Sequence, residues 1–95
     1  MKLAFIGTGK IIADALFAIE PIKEIEKTAI FARPHSKEKA EAFAKQYNIA
    51  EVYTDYEKLL TETAADTVYI GLINSAHYSY AKEALLHRKN VILEK

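Results

Sequence analysis

The chain has 95 residues, which is the size of one small domain. Its 13 Lys and Arg residues balance 13 Asp and Glu residues, and this zero net charge argues against nucleic acid as a partner, because phosphate-binding domains usually carry a basic excess. Cysteine is absent and the three histidines show no ligand spacing, so neither a disulfide framework nor a metal site is expected.

Membrane partners are not expected either. The longest stretch without Asp, Glu, Lys or Arg runs from Thr67 to Ala81, and it is too short and too polar to suggest a membrane span. The apolar run at residues 3–6 is too short for the core of a signal peptide. The sequence therefore predicts a soluble, cytoplasmic protein.

Short apolar runs alternate with segments of helical period along the chain. The apolar runs predict strands at residues 3–6, 28–32, 52–53, 67–73 and 90–93. A helix is expected behind the first strand, because apolar residues between Ile12 and Ile19 recur at helical spacing. The same spacing predicts a helix after Ser36, which can cap it, and a fourth helix at about residues 75–87 with Ala81, Ala84 and Leu85 inward. A short third helix should follow Thr54, which begins a capping-box pattern.

This alternation predicts βαβ crossovers and hence an α/β fold, a Rossmann-type doubly wound parallel sheet of about five strands. No residues after Lys95 remain to cover the last strand, so the domain is expected to lack its last helix and strand. We therefore interpret residues 1–95 as an N-terminal piece of a longer chain, and the alternative is a natural small domain.

The segment Gly7-Thr8-Gly9 follows the first strand and opens the first helix. Gly7 would let the chain turn sharply, Gly9 would let a pyrophosphate approach the backbone, and the helix N-terminus would offer N–H groups to the phosphates. Ile12 stands where the dinucleotide fingerprint expects Gly or Ala, and such a bulky residue should push the helix slightly off the sheet. The context favours dinucleotide binding, and a purely structural tight turn is the alternative.

The residues after the second strand bear on the choice of nucleotide. An NAD site normally carries Asp or Glu there, whereas this chain has Arg33 and Ser36 and no acid. Arg33 could meet a 2′-phosphate or stack on adenine, and Ser36 could add a hydrogen bond. The sequence favours NADP over NAD, and a solvated Arg33 is the alternative.

Four polar residues follow the fourth and fifth strands, where ligands of open α/β sheets gather. Asn74 and His77 follow the fourth strand, and Glu94 and Lys95 follow the fifth. By themselves these residues also fit a helix cap, a structural hydrogen-bonder and a solvated chain end.

Together the motifs resemble the glucose–fructose oxidoreductase, inositol dehydrogenase and MocA family. The segment Gly7-Thr8-Gly9-Lys10-Ile11 looks like its nucleotide loop, and Arg33 with the helix after it looks like its second-strand exit. Asn74-Ser75-Ala76-His77 and Val91-Ile92-Leu93-Glu94-Lys95 resemble its N-x-x-H and V-x-x-E-K-P segments, and the resemblance covers essentially all 95 residues.

The resemblance implies an NAD(P)-dependent oxidoreductase acting on a sugar, a polyol or a related small-molecule substrate. It implies a second domain with the substrate pocket and usually the interface of a homo-oligomer, so that residues 1–95 alone would be inactive. Lys95 would lie beside the nicotinamide and polarise the substrate as the catalytic residue. Leu72, Asn74, His77 and Glu94 would line the nicotinamide side of the cofactor pocket. Two other classes stay open: a stand-alone module that binds a nucleotide or coenzyme A, and a protein-interaction fragment.

Overall fold

The computed structural model describes residues 1–72 and 74–93, of which residues 74–77 are described by their backbone alone. The strands are β1 (Lys2–Ile6), β2 (Glu26–Phe31), β3 (Glu51–Tyr53), β4 (Thr67–Ile70) and β5 (Asn90–Leu93). The helices are α1 (Lys10–Ile19), α2 (Lys37–Tyr47), α3 (Tyr56–Glu62) and α4 (Asn74–Leu86). All strands pair in parallel in the order β3-β2-β1-β4-β5, which confirms the predicted α/β doubly wound class.

The sheet is covered on both faces because its central strands are apolar on both sides. In β1, Leu3 and Phe5 join a cluster with residues of α1 and α2, whereas Ala4 and Ile6 join a second cluster with residues of α3 and α4. This explains why β1 is a continuous apolar run rather than an alternating one. None of the described helices is long and apolar enough to cross a bilayer.

The strand order places a change of direction beside β1. The chain runs outward from β1 to β2 and β3, and then returns to the other side of β1 to form β4 and β5. The loops that leave β1 and β4 therefore diverge toward opposite faces of the sheet. A crevice at the carboxyl ends of the strands is the expected result, and it is the usual ligand site of such sheets.

Gly71, just after β4, makes room for Ile12 of α1. Ile12 is fully buried, and a Cβ atom added to Gly71 would lie 2.7 Å from its Cδ1 atom. The small residue that the fingerprint expects on the helix is thus replaced by a small residue on the sheet. The bulk of Ile12 is accommodated by the space that Gly71 leaves.

An aromatic trio fixes α3 and α4 to the end of β2. The ring centroid of Phe31 lies 5.5 Å from that of Tyr56 and 5.8 Å from that of Tyr80, and the two tyrosine rings are 4.5 Å apart. The Tyr56 hydroxyl donates a hydrogen bond of 2.7 Å to the backbone oxygen of Tyr80. Burial raises the pKa of Tyr56 above its ordinary value, with smaller contributions from Tyr80 and Glu83.

Three local predictions were wrong. Leu85 is 62% exposed, because the face of α4 that meets the sheet is formed by Tyr80, Ala81 and Ala84. The N-cap of α3 is Asp55 rather than the residue before it, since the Asp55 carboxylate accepts a 3.2 Å hydrogen bond from the Lys58 backbone N–H. Strand β4 ends at residue 70, so residues 71 and 72 lie outside it, although the Gly71 backbone N–H still donates a 3.0 Å hydrogen bond to the oxygen of Ile6.

Helix α4 ends through a residue in the left-handed conformation. Arg88 has φ 61°, a conformation that glycine adopts at lower cost. The Lys89 backbone N–H closes the turn with a 3.0 Å hydrogen bond to the oxygen of Ala84.

The contact between Ile12 and Gly71 is open to a double-mutant cycle. We expect Gly71→Ala to lower the free energy of unfolding by about 1–3 kcal/mol, because the buried Ile12 side chain must shift. In an Ile12→Ala background, itself destabilised by a cavity, the added methyl group should cost close to nothing. Urea denaturation of the four proteins measures the coupling, and an equal cost in both backgrounds would contradict the packing described here.

Candidate functional site

A cleft of about 230 Å³ lies at the carboxyl ends of β1, β2 and β4. It is formed by the loop after β1, the turn after β2 and the first residues after β4. Its lining residues are Gly7, Thr8, Gly9, Phe31, Ala32, Arg33, His35, Ser36, Gly71 and Leu72. The chain has three glycines, and all of them line this cleft.

Gly7 is required by the backbone conformation and by the packing of the fold. Its φ angle is +117°, which side chains rarely adopt, and its backbone N–H donates a 2.9 Å hydrogen bond to the oxygen of Phe31. A Cβ atom here would lie 3.0 Å from the backbone oxygen of Gly71 and 3.1 Å from the Leu72 Cδ2 atom. The turn out of β1 and the tight approach of β4 thus both depend on this glycine.

In contrast to Gly7, Gly9 is not required by the backbone conformation or by the packing of the fold. Its φ of −81° suits any residue, and a Cβ atom added to it would meet nothing within 4 Å. It is the N-cap of α1, where no side chain caps the helix and no acidic residue occupies the first turn. The first N–H groups of a helix lack intrahelical partners. This end of α1 therefore offers bare backbone donors and positive dipole potential to the space above Gly9.

Lys10 and Ile11, which the sequence analysis also assigned to the nucleotide loop, are not among the lining residues of the cleft. The Lys10 side chain is 85% exposed and its Nζ lies 3.5 Å from the Asp14 carboxylate. Ile11 lines a separate hollow with Asp14, Ala15 and Tyr69. As the first two residues of α1, they supply N–H groups at the edge of the cleft.

The other wall of the cleft is a single 3₁₀ turn over Pro34–Ser36. Proline at its first position fixes the entry angle, and the Ser36 backbone N–H donates a 2.8 Å hydrogen bond to the oxygen of Arg33. Ser36 then occupies the N-cap of α2, but its side chain makes no capping bond. Arg33 and His35 are exposed, so this turn presents a guanidinium, an imidazole and a free hydroxyl to the cleft.

The cleft is locally basic although the chain is neutral overall. Among its lining residues Arg33 and His35 are the ones that can carry charge, and no carboxylate is among them. No ion pair of Arg33 occurs within residues 1–72 and 78–93, where side chains are described. Ala32, Phe31 and Leu72 give the cleft an apolar floor and rim. Apolar surface beside unpaired cations and backbone donors suits a ligand that combines a ring system with phosphates.

The structure brings several of the predicted site residues together in this cleft, namely Gly7, Thr8, Gly9, Arg33, Ser36 and Leu72. Residues 94 and 95 lie outside the described residues, as do the side chains of residues 74 and 77. The predicted roles of Asn74, His77, Glu94 and Lys95 therefore stay predictions.

Sequence reasoning missed Gly71, Phe31, Ala32 and His35 as cleft residues. The scarcity of glycine was a usable signal for Gly71, because each of three glycines in a chain of 95 residues is a candidate for close approach. The sequence context of Phe31 predicts a core residue, since Phe31 belongs to a buried strand. The 3₁₀ turn that directs His35 into the lining has no strong pattern in the sequence.

Comparison with known proteins agrees with this geometry. The model of a protein family described as an oxidoreductase family with an NAD-binding Rossmann fold matches residues 1–95. Trans-1,2-dihydrobenzene-1,2-diol dehydrogenase of Xenopus laevis is 30% identical over 94 residues, which are 99% of this chain and 28% of that protein.

Similar solved structures cover the whole chain, and two of them illustrate the match. A 3-ketoreductase from Actinomadura kijaniata, in complex with TDP-benzene and NADP, is 30% identical with a TM-score of 0.89, over 29% of its own chain. Scyllo-inositol dehydrogenase from Lactobacillus casei, with NAD(H) and scyllo-inositol, shares the fold with a TM-score of 0.88 at 22% identity, over 28% of its own chain. The chain thus spans less than a third of the length of each of these proteins.

The two loop glycines should respond differently to the same substitution. We expect Gly7→Ala to lower the free energy of unfolding by about 1–3 kcal/mol, because an L-residue is strained at its φ angle. Gly9→Ala should leave stability within about 1 kcal/mol of the parent, or raise it, because its conformation and surroundings accept a methyl group. Thermal or urea unfolding tests this, and equal losses from the two changes would contradict it.

Proposed function

The chain belongs to the oxidoreductase family of glucose–fructose oxidoreductase, inositol dehydrogenase and MocA and forms its NAD-binding Rossmann domain. From this we propose that the protein carrying it is a dehydrogenase that transfers hydride between NAD(P) and a sugar, a polyol or a related hydroxyl or carbonyl compound. The support for the substrate class is two relatives at 30% identity, which are named a trans-1,2-dihydrobenzene-1,2-diol dehydrogenase and a 3-ketoreductase. The observation that carries the cofactor part is the convergence of all three glycines on one cleft beside an uncapped helix end.

The cleft fits a dinucleotide through its loop and its two walls. The pyrophosphate is proposed to lie over Gly9, where the protein leaves space and α1 offers backbone donors. The adenosine half would extend toward Arg33 and Ser36, and the nicotinamide half toward Leu72 and the ends of β4 and β5. Asn74, His77 and Glu94 are proposed to line that second half, since they follow those two strands in the chain.

The bound cofactor supplies the hydride chemistry, and the chain supplies binding, orientation and charge. We propose Lys95 as the catalytic group, because an ammonium beside the substrate oxygen stabilises the negative charge that develops there. A second domain is proposed to supply the substrate pocket, and assembly into a homo-oligomer would be a property of that longer protein.

NADP is the proposed preferred cofactor. Arg33 lies in the cleft without an acidic partner among the described side chains, and the Ser36 hydroxyl is not used as a helix cap. A 2′-phosphate would find a guanidinium, a hydroxyl and the start of α2 at this wall. The ribose diol of NAD would find no carboxylate among the described lining residues.

The pyrophosphate position can be tested with Gly9→Ala. The variant should be about as stable as the parent or more stable. It should lose at least about tenfold in affinity for NADP⁺, because its methyl group fills the space proposed for the phosphates. Isothermal titration calorimetry with NADP⁺, NAD⁺ and coenzyme A measures the effect. If the parent binds coenzyme A in preference to both dinucleotides, the alternative of a non-enzymatic nucleotide module is correct. Unchanged NADP⁺ affinity in the variant would refute the proposed position.

Arg33→Ala tests the cofactor preference. Its affinity for NADP⁺ should fall by about tenfold, the scale of a charge-assisted hydrogen bond, whereas its affinity for NAD⁺ should change by less than about twofold. Lys45→Ala removes an exposed cation in the last turn of α2 and is the matched control for net charge. Equal losses for the two cofactors would assign Arg33 to adenine stacking instead.

A further inference from the structure

The wall formed by the 3₁₀ turn contains a group that the proposed function does not use. His35 lines the cleft between Arg33 and Ser36, and its ring is exposed. It has no hydrogen bond or ion pair with any side chain or backbone group of the described residues. By contrast, His87 is half-buried and its Nδ1 lies 2.9 Å from the backbone oxygen of Glu83. The imidazole of His35 is therefore free to act on whatever occupies the cleft.

Charge at this wall favours an anion. Arg33 shares the cleft lining with His35. The two helices that begin at the cleft carry further charges in their first turns, namely Lys37, Glu38 and Lys39 on α2, and Lys10 with its partner Asp14 on α1. Lys10 lies beside Asp14, and Lys37 lies 3.9 Å from the Glu41 carboxylate, so both are partly neutralised. Arg33 and His35 remain as the unpaired basic groups of the described lining, and no carboxylate there competes for them.

The turn also fixes the spacing of these groups. Pro34 restricts the backbone at the first position of the 3₁₀ turn, so Arg33 and His35 flank a rigid residue. The hydroxyl of Ser36 completes the set, since it is not engaged at the N-terminus of α2. Three donors on four consecutive residues can surround a phosphate monoester, which offers three acceptor oxygens.

We propose that His35 is a specificity-determining residue that recognises the 2′-phosphate of NADP(H), so that its contribution to the preference for NADP(H) over NAD(H) increases as the pH falls. This inference rests on the proposed binding of a dinucleotide in the cleft. Histidine side chains gain their proton between about pH 8 and pH 5, and only the protonated ring adds a full positive charge opposite the phosphate. NAD(H) lacks the 2′-phosphate, so its affinity should not respond to this proton.

The test is calorimetric titration of the chain with NADP⁺ and NAD⁺ at pH 6.0 and pH 8.0. The proteins are the parent, His35→Gln, His35→Lys and His87→Gln, the last being the matched control outside the cleft. At pH 6.0 the ratio of the two dissociation constants should favour NADP⁺ by about threefold to fivefold more in the parent than in His35→Gln, the scale of one exposed charge pair. At pH 8.0 this difference should largely disappear. Protonation of the 2′-phosphate itself affects parent and variant alike, so the comparison removes it.

The remaining variants separate charge from structure. His35→Lys should keep a high preference for NADP⁺ at both pH values, because its charge does not titrate in this range, and His87→Gln should behave like the parent. If His35→Gln shows the parent ratio at both pH values, or weakens both cofactors equally, the inference is wrong while the proposed function stands. If the folded parent binds neither dinucleotide, the proposed function fails and the inference fails with it.

Discussion

The site depends on the close approach of three backbone segments: the end of β1, the end of β4 and the first turns of α1. Gly7 and Gly71 permit this approach, since a Cβ atom on either would meet a neighbour at 3.0 Å or less. Ile12 then fills the space between helix and sheet and keeps α1 in place. Because α1 is held there, its uncapped N-terminus at Gly9 lies in the lining of the cleft.

Much of the fold could be predicted because strands that are buried on both faces of a parallel sheet appear in the sequence as continuous apolar runs. Strands β1 and β5 were located within one residue, and the glycine loop was placed between β1 and α1. The face of α4 was harder, because Tyr80 and Leu85 are both apolar enough to be buried and only the position of the sheet decides between them. The cap of α3 was misassigned for a related reason, since Thr54 and Asp55 are both good capping residues.

The cleft could be predicted only in part, because its two walls have different kinds of sequence signal. The glycine loop is a local motif, and its strand and helix context can be seen in the sequence. Gly71 matters because of its contact with Ile12, which lies far away in the chain. No local sequence pattern predicts such a long-range contact. The position of His35 depends on a three-residue turn whose geometry follows from Pro34 and the docking of α2. The net charge of the chain did not reveal the charge of the cleft either, since the chain is neutral overall and the cleft is basic.

The strand order also affects how the cleft assembles as the chain folds. The loop after β1 and the turn after β2 belong to one continuous stretch, residues 7–36, and need only short loop closures to meet. Gly71 and Leu72 follow β4. The pairing of β4 with β1 joins segments that are far apart in the chain, as the 64 positions between Lys2 and Asp66 show. Closing so long a loop carries a larger entropy cost and generally comes later in folding. A ligand that contacts both parts would therefore stabilise the pairing of β4 with β1. It would slow the separation of these strands and lengthen the lifetime of the native state.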